Sequence, residues 1–237
     1  MRAIVKGDEL DRLPQFFDHD GEIFQLPLPG GEGKALHSAA PPTDVPIYVA
    51  SLGPANLRLT GELTDGWIGN SFFCSTADVF WDEIRTGAES AGRTLGEVDR
   101  TVGVSCEFTD DVEEAGRRHA AGYAFTFGAM GSGNTNFYNR AFGRQGFADD
   151  VAEVQRLWRE GGREAARARV PIEIGLQTNL VGPPEEIRRR LREYIAAGVD
   201  ELRVAPMGDD LDTQLANLGQ LMDLARTVNT APPPAIS

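Results

Sequence analysis

From residue 46 onward, short apolar runs alternate with stretches whose apolar residues recur every three or four positions. Ile47, Tyr48, Val49 and Ala50 make a run of the buried-strand type. Ser51-Leu52-Gly53-Pro54 interrupts it, and a proline there suits the first turn of a helix. Leu57, Thr60, Gly61 and Leu63 then recur at helical spacing and predict a helix over 54–64, after which Asp65-Gly66 turns the chain into a second run at 66–70. A helix follows over 76–91, with Val79, Phe80, Ile84 and Ala88 as its apolar face. Residues 100–108 are rich in β-branched residues and nearly alternating, a strand signature. Asp110-Asp111 opens a helix over 111–123, with acidic residues where the helix dipole favours them. Residues 124–146 mix aromatics with glycine and asparagine and read as a loop. Helices are expected over 147–160 and 161–168, then over 185–197 with Ile187, Leu191 and Ile195 on one face and Gly198 as the stop. A strand over 201–205 and a helix over 211–228 complete the pattern.

Before residue 46 the order is weaker. Residues 2–13 suit a helix end, 18–21 a turn, 22–28 an extended piece and 29–45 a loop rich in glycine, proline and alanine. The expected organisation is an irregular lead-in at 1–45, an α/β domain at 46–229 and a frayed Pro-rich tail at 230–237. Strands alternating with helices imply a parallel sheet. Four strands, each followed by a helix, fit either half of a (β/α)8 barrel or a small open sheet.

Composition narrows the function classes. A net charge of −13 in 237 residues argues against nucleic acid, whose backbone calls for a basic surface. Cys74 and Cys106 are the only cysteines, which suggests reduced thiols, a cytoplasmic setting and no zinc site. No apolar run approaches the ~20 residues of a membrane helix, so no membrane association is expected. His19 and His37 sit in expected turns or loops and His119 on a helix surface, with no metal-ligand spacing between them. No GxSxG, Walker or GxGxxG arrangement occurs in its required context. The break at 51–54 has the outline of an anion site, because N–H groups at a helix start point outward along the positive end of the dipole. A plain tight turn explains the same residues.

Three separated segments look alike to one family. The stretch from Pro46 to Gly69 (PIYVASLGPANLRLTGELTDGWIG), the GAMG…NFYNR stretch around Met130 and Arg140, and the stretch from Asn179 to Pro206 together resemble the luciferase-like family of flavin-dependent oxidoreductases, and most nearly its coenzyme F420 branch. The resemblance implies a TIM barrel of which strand 46–50 is the fifth strand. The chain would then be an N-terminally truncated barrel carrying about strands 5–8, with on the order of 100 residues missing at roughly 30 per unit. It implies F420 as coenzyme, with FMN-dependent monooxygenase chemistry as the alternative, and hydride transfer to a small organic substrate. By resemblance, the backbone of Leu52 and Gly53, with Ser51 nearby, cradles the coenzyme phosphate, and Gly69, Asn70 and Ser71 form a second contacting segment. Helix capping is the plainer role for Asn70 and Ser71. Trp67 is expected inside the barrel, and Arg203 in an ion pair with Glu173 or Glu201, although it could reach the coenzyme. Met130, Phe137, Tyr138 and Arg140 pack a loop or border the coenzyme tail. The resemblance names no catalytic acid or base here, because ring-facing residues come from the first four strands. Unpaired strand edges imply a homodimer or, on a different view, a non-catalytic half-barrel that acts in assembly or binding.

Overall fold

The computed structural model describes residues 45–131 and 136–229, with shorter stretches at 19–20, 22, 25–26 and 30–31. The chain divides into two compact units, Met1–Ile47 and Tyr48–Ser237. In the first, β1 (His19–Asp20) pairs antiparallel with β2 (Gln25–Leu26), His19 opposite Leu26. His19 and Asp20 are therefore strand residues and not the expected turn. The expectations for 2–13, for most of 29–45 and for the 230–237 tail fall outside the described residues.

The second unit is built on one parallel sheet of β3 (Tyr48–Val49), β4 (Gly66–Gly69), β5 (Asp99–Phe108), β6 (Leu180–Gly182) and β7 (Glu201–Pro206). Val102 of β5 lies opposite Gly69 on one edge and Leu202 on the other, and Cys106 lies opposite both Leu180 and Pro206. The order is thus β3-β4-β5-β7, with the short β6 extending the edge that β4 occupies. From β3 to β5 the order follows the chain, β6 steps back to the β4 side and β7 takes the opposite edge of β5, with right-handed crossovers carrying the connecting helices to one face. The other face stays open. Three-residue β6, a fifth strand where four are expected, carries too little pattern to be seen in sequence.

Helices α1 (Pro54–Leu63) and α2 (Asp78–Ser90) follow β3 and β4. Between β5 and β6 the chain makes α3 (Val112–Ala129), α4 (Phe137–Phe142), a wide π-helical turn at Gly143–Phe147, α5 (Ala148–Arg159), α6 (Arg163–Arg169) and α7 (Ile172–Gln177). Helices α8 (Pro184–Ala196) and α9 (Leu211–Asn229) then return to the sheet. One core joins α1, α2, α8 and α9 to the sheet through Leu57, Phe80, Ile84, Ile187, Leu221 and the β5 residues Val102, Val104 and Cys106. A second lies within the α3–α7 insertion, around Phe127, Phe142, Val154 and Ile174.

Trp67 belongs to the first core, fully buried, its ring centroid 5.2 Å from those of both Phe80 and Trp81. It faces the helices and not the barrel interior, since the register puts Ile68 with Thr101 and Trp67 with Arg100, whose guanidinium lies over Trp81. Helices α1 and α2 meet backbone to backbone: a Cβ on Gly61 would come within 1.9 Å of the Ile84 carbonyl oxygen, and one on Gly87 within 1.8 Å of that of Arg58. Helix α3 begins at the expected cap, with Asp111 accepting from the Glu114 N–H at 3.1 Å, but it continues six residues past its expected end. Ala120, Ala124 and Phe127 hold one buried face through a stretch whose glycines and aromatics suggest loop. Asn136 then caps α4, accepting from the Tyr138 and Asn139 N–H groups, so Phe137, Tyr138 and Arg140 are helical. On α8, Tyr194 is buried where Ile195 is expected, and Ile195 is 52% exposed.

Candidate functional site

The open face of the sheet and the α3–α4 segment enclose a cavity of about 650 Å³. Its lining includes Ser51 and Leu52 after β3, Asn70 and Ser71 after β4, and Ser105 near the end of β5. This is the C-terminal side of a parallel sheet, where ligands of such folds bind, and the volume suits a small molecule.

The loop after β3 is fixed from behind. The Ser51 carbonyl accepts from the Trp67 indole N–H at 2.9 Å, and the Leu52 carbonyl accepts from the Arg144 guanidinium. In a trans peptide the C=O and the following N–H point in opposite directions. The N–H groups of Leu52 and Gly53 are therefore turned away from these partners. Helix α1 starts at Pro54, which has no N–H, and Gly53 brings no capping side chain, so the first-turn N–H groups of Ala55 and Asn56 have no protein acceptor among the described residues. These donors sit at the positive end of a ten-residue helix. Gly53 itself is outside the cavity lining, and a Cβ there would meet nothing within 4 Å. The Ser51 hydroxyl is turned inward to Thr60, 2.9 Å away, so what Ser51 offers the cavity is backbone.

The loop after β4 holds the unit's strained residue. Ser71 is buried with φ of 59°, a left-handed conformation unusual for a residue with a Cβ. Gln145, in the wide turn, braces it: Nε2 donates to the Ser71 carbonyl at 3.1 Å, and Oε1 accepts from the Phe73 N–H at 3.2 Å. One turn of the insertion thus grips both loops, Arg144 the first and Gln145 the second. Asn70 is exposed on the open face, and neither it nor Ser71 caps a helix, since the short helix that follows starts at Cys74 with Phe73 as its cap. Gly69 lines the cavity with its backbone, while the position of a Cβ on it faces the helices and would run into the Trp67 ring.

The sequence profile of the luciferase-like monooxygenase family matches residues 1–201. The chain belongs to that family. A Mycobacterium tuberculosis protein provisionally named a coenzyme F420-dependent oxidoreductase is 29% identical over 187 residues, 76% of this chain and 54% of that protein. The 5,10-methylenetetrahydromethanopterin reductase of Methanopyrus kandleri is 27% identical over 180 residues, 75% of this chain and 50% of its own length. The F420-dependent glucose-6-phosphate dehydrogenase of Nakamurella multipartita is 28% identical over 193 residues, covering 79% and 50%. The chain spans about half the length of the curated relatives it matches. Among solved structures, the coenzyme F420-dependent tetrahydromethanopterin reductase of Methanopyrus kandleri shares the fold with a TM-score of 0.63 at 20% identity, over 86% of this chain and 56% of that one. An F420-dependent secondary alcohol dehydrogenase does so with 0.60 at 16% identity, over 92% and 58%. Two of these three curated relatives carry F420 dependence in their names.

The cavity also gathers residues that carry no motif. The Tyr123 hydroxyl donates to Thr178 at 2.9 Å; burial holds its phenol above the ordinary range, while hydrogen bonds with Thr178 and Ser71 oppose that shift. Asn179 accepts from the Ser105 N–H at 2.9 Å and fixes the end of β5. Met130 and Tyr138 line the cavity, whereas Phe137 is 61% exposed. Arg203 makes neither expected ion pair: Glu201 instead accepts from Thr101 at 3.2 Å, and Arg203 lines the cavity. His119 is no surface residue; it is nearly buried, 2.9 Å from Glu107. Among the described residues no cluster of His, Cys, Asp and Glu could hold a metal, and no helix is long and apolar enough to cross a membrane.

Proposed function

We propose that this chain forms the coenzyme-holding C-terminal half of an F420-dependent oxidoreductase, with β3, β4, β5 and β7 as the last four strands of a (β/α)8 barrel. The observation that carries this reading is the loop after β3, where two carbonyls are tied back by Trp67 and Arg144 so that the Leu52 and Gly53 N–H groups join the uncapped start of α1. Such a cradle fits a phosphate monoester or diester. The second segment, Asn70 and Ser71, would border the chain that links phosphate to ring, and the Tyr123–Thr178–Asn179 wall would position the ring against the sheet. When bound, the coenzyme supplies the carbon that gives or takes a hydride. In this reading the residues named here bind, orient and shield; among the described residues the cavity lining holds no carboxylate, histidine or lysine. The substrate is a small organic molecule.

Among the described residues no strand pairs with the outer edges of β3 and β7, and these edges, with exposed Leu211, Leu215 and Met222 on α9, are surfaces that the rest of a barrel would cover. In isolation the chain would cover them with a second copy, as a homodimer. The reading is tested by titrating the purified chain with F420 and, separately, FMN, following coenzyme fluorescence, with light scattering for the mass. Saturable binding of F420 in preference to FMN is expected. Binding of neither, or of FMN alone, would refute the F420 assignment.

A further inference from the structure

The cavity is polar but nearly uncharged. Among its lining residues Arg203 is the one side chain that is charged at neutral pH. It sits in the middle of β7, opposite Gly103 of β5, exposed on the open face. Among the described residues it has neither hydrogen bond nor ion pair. The acid nearest along its own face, Glu201, is engaged by the Thr101 hydroxyl, and Asp99 beyond it is engaged by Tyr48. A guanidinium with five donors on a concave, partly apolar surface is a binding group without a partner.

The surface beside it is bare. A Cβ on Gly103 would find only the Gly69 carbonyl oxygen, at 3.7 Å, which is ordinary contact, so the protein's own packing leaves room above the strand. Arg203 lies three strands across from the loop after β3, about 14 Å at the usual spacing near 4.8 Å. A ligand anchored by phosphate at the start of α1 and laid across the sheet would bring its far end to this arginine.

We propose that Arg203 is a second anion subsite of the cavity, receiving an anionic oxygen of the ligand at the end remote from the phosphate cradle. The proposal rests on the coenzyme reading for the ligand's orientation. The oxygen could belong to the coenzyme ring or to a carboxylate or phosphate of the substrate. Either would meet the two-pronged guanidinium edge in the same way.

The test is NMR of the ¹⁵N-labelled full chain, following the Arg203 side-chain Nε–H and the Leu52 and Gly53 amides. Arg203→Gln assigns the side-chain signal. Inorganic phosphate is titrated first, then F420, then phosphate onto the F420-saturated chain. A saturable shift of the Arg203 signal with phosphate is expected, and Arg203→Gln should abolish the corresponding binding while Arg203→Lys restores part of it. If the oxygen is the coenzyme's, F420 moves the Arg203 signal and Arg203→Gln raises its Kd about tenfold or more. If it is the substrate's, Arg203 still answers phosphate after F420 is bound. An Arg203 signal indifferent to phosphate with and without F420 overturns the subsite, as do equal affinities for the Arg203→Gln variant. Response of Arg203 without response of Leu52 and Gly53 would sink the phosphate-cradle reading and leave the subsite standing.

Discussion

Replacing Gln145 with leucine isolates what the wide turn contributes. The side chain is buried, and leucine nearly matches its volume, so the change removes hydrogen bonds without opening a cavity. The Phe73 N–H loses its side-chain acceptor, at a cost of roughly 1–3 kcal/mol for a buried unpaired donor. The Ser71 carbonyl loses its donor, about 1 kcal/mol more. For a chain of this size each kcal/mol is worth about 2–4 °C, so Tm should fall by about 4–16 °C, read by circular dichroism. Ser71 supplies the internal control. Its left-handed backbone costs about 1–2 kcal/mol, and Gln145 helps to hold it there. With Ser71→Gly the strain vanishes, so Gln145→Leu should cost less, with a coupling of about 1 kcal/mol in the double-mutant cycle. F420 affinity should drop about tenfold in Gln145→Leu and recover in part when Ser71→Gly is added. Strict additivity, or a Tm within about 2 °C of the parent, would refute the idea that this side chain braces the second loop.

Gly53→Asp should behave in opposite senses in two assays. The aspartate can cap α1 without a clash and raise stability by a few tenths of a kcal/mol, while its carboxylate competes for the cradle and weakens F420 about tenfold or more; a phosphate-free deazaflavin should bind as before, and equal losses for both ligands would contradict the cradle. Gly87→Ala improves helix propensity by about 1 kcal/mol yet should lower Tm, because the new methyl meets the Arg58 backbone and overpacking costs roughly 1–3 kcal/mol or more; a raised Tm would dismiss the close α1–α2 contact. Burial pushes the Cys74 thiol up to about 11 and that of Cys106 to about 12, so both should resist a thiol reagent at pH 8 until the chain is unfolded. Because the folded-state values are raised, this stabilisation is complete below the unfolded thiol value near 8.5 and is lost as pH climbs toward 11–12. Tyr48, held up to about 12 chiefly by its bond to Asp99, acts in the same direction. Urea midpoints that rose over that interval would contradict it.

Much of the sheet was legible because its strands and flanking helices carry strong periodic signals, and the loop after β3 because Gly-Pro breaks a buried run. What escaped has local physical causes. Helix α3 runs on through Phe125 and Phe127 since Ala120, Ala124 and Phe127 bury one face, a tertiary gain that outweighs glycine and aromatic propensities. Residues 180–182 form a strand only because β5 is long enough to offer an edge beyond β4. Arg144 and Gln145 belong to a turn whose shape depends on Gly146 at φ of 100°, and nothing in a GRQG string announces which loops it will reach. Trp67 and Arg203 show the limit of face assignment: both are strand residues, and only register decides that one enters the helix-side core and the other the open face.

The division of labour between the two cores bears on what the chain can do alone. The first loop is tied back by Trp67, a residue of the sheet–helix core, and the second by Gln145, presented from the insertion whose core contains Phe142 and Phe73. Neither tie uses the outer edge of β3 or of β7. On the half-barrel reading proposed above, closing strands at those edges would complete the wall around a ring and supply reacting groups, but they are not needed to aim the Leu52 and Gly53 N–H groups. Phosphate recognition should therefore survive in this chain without turnover, and grip on the phosphate end should be separable from chemistry at the ring. A coenzyme that bound only after the complementary half was added would place the anchoring contacts in that half and reverse this assignment of roles.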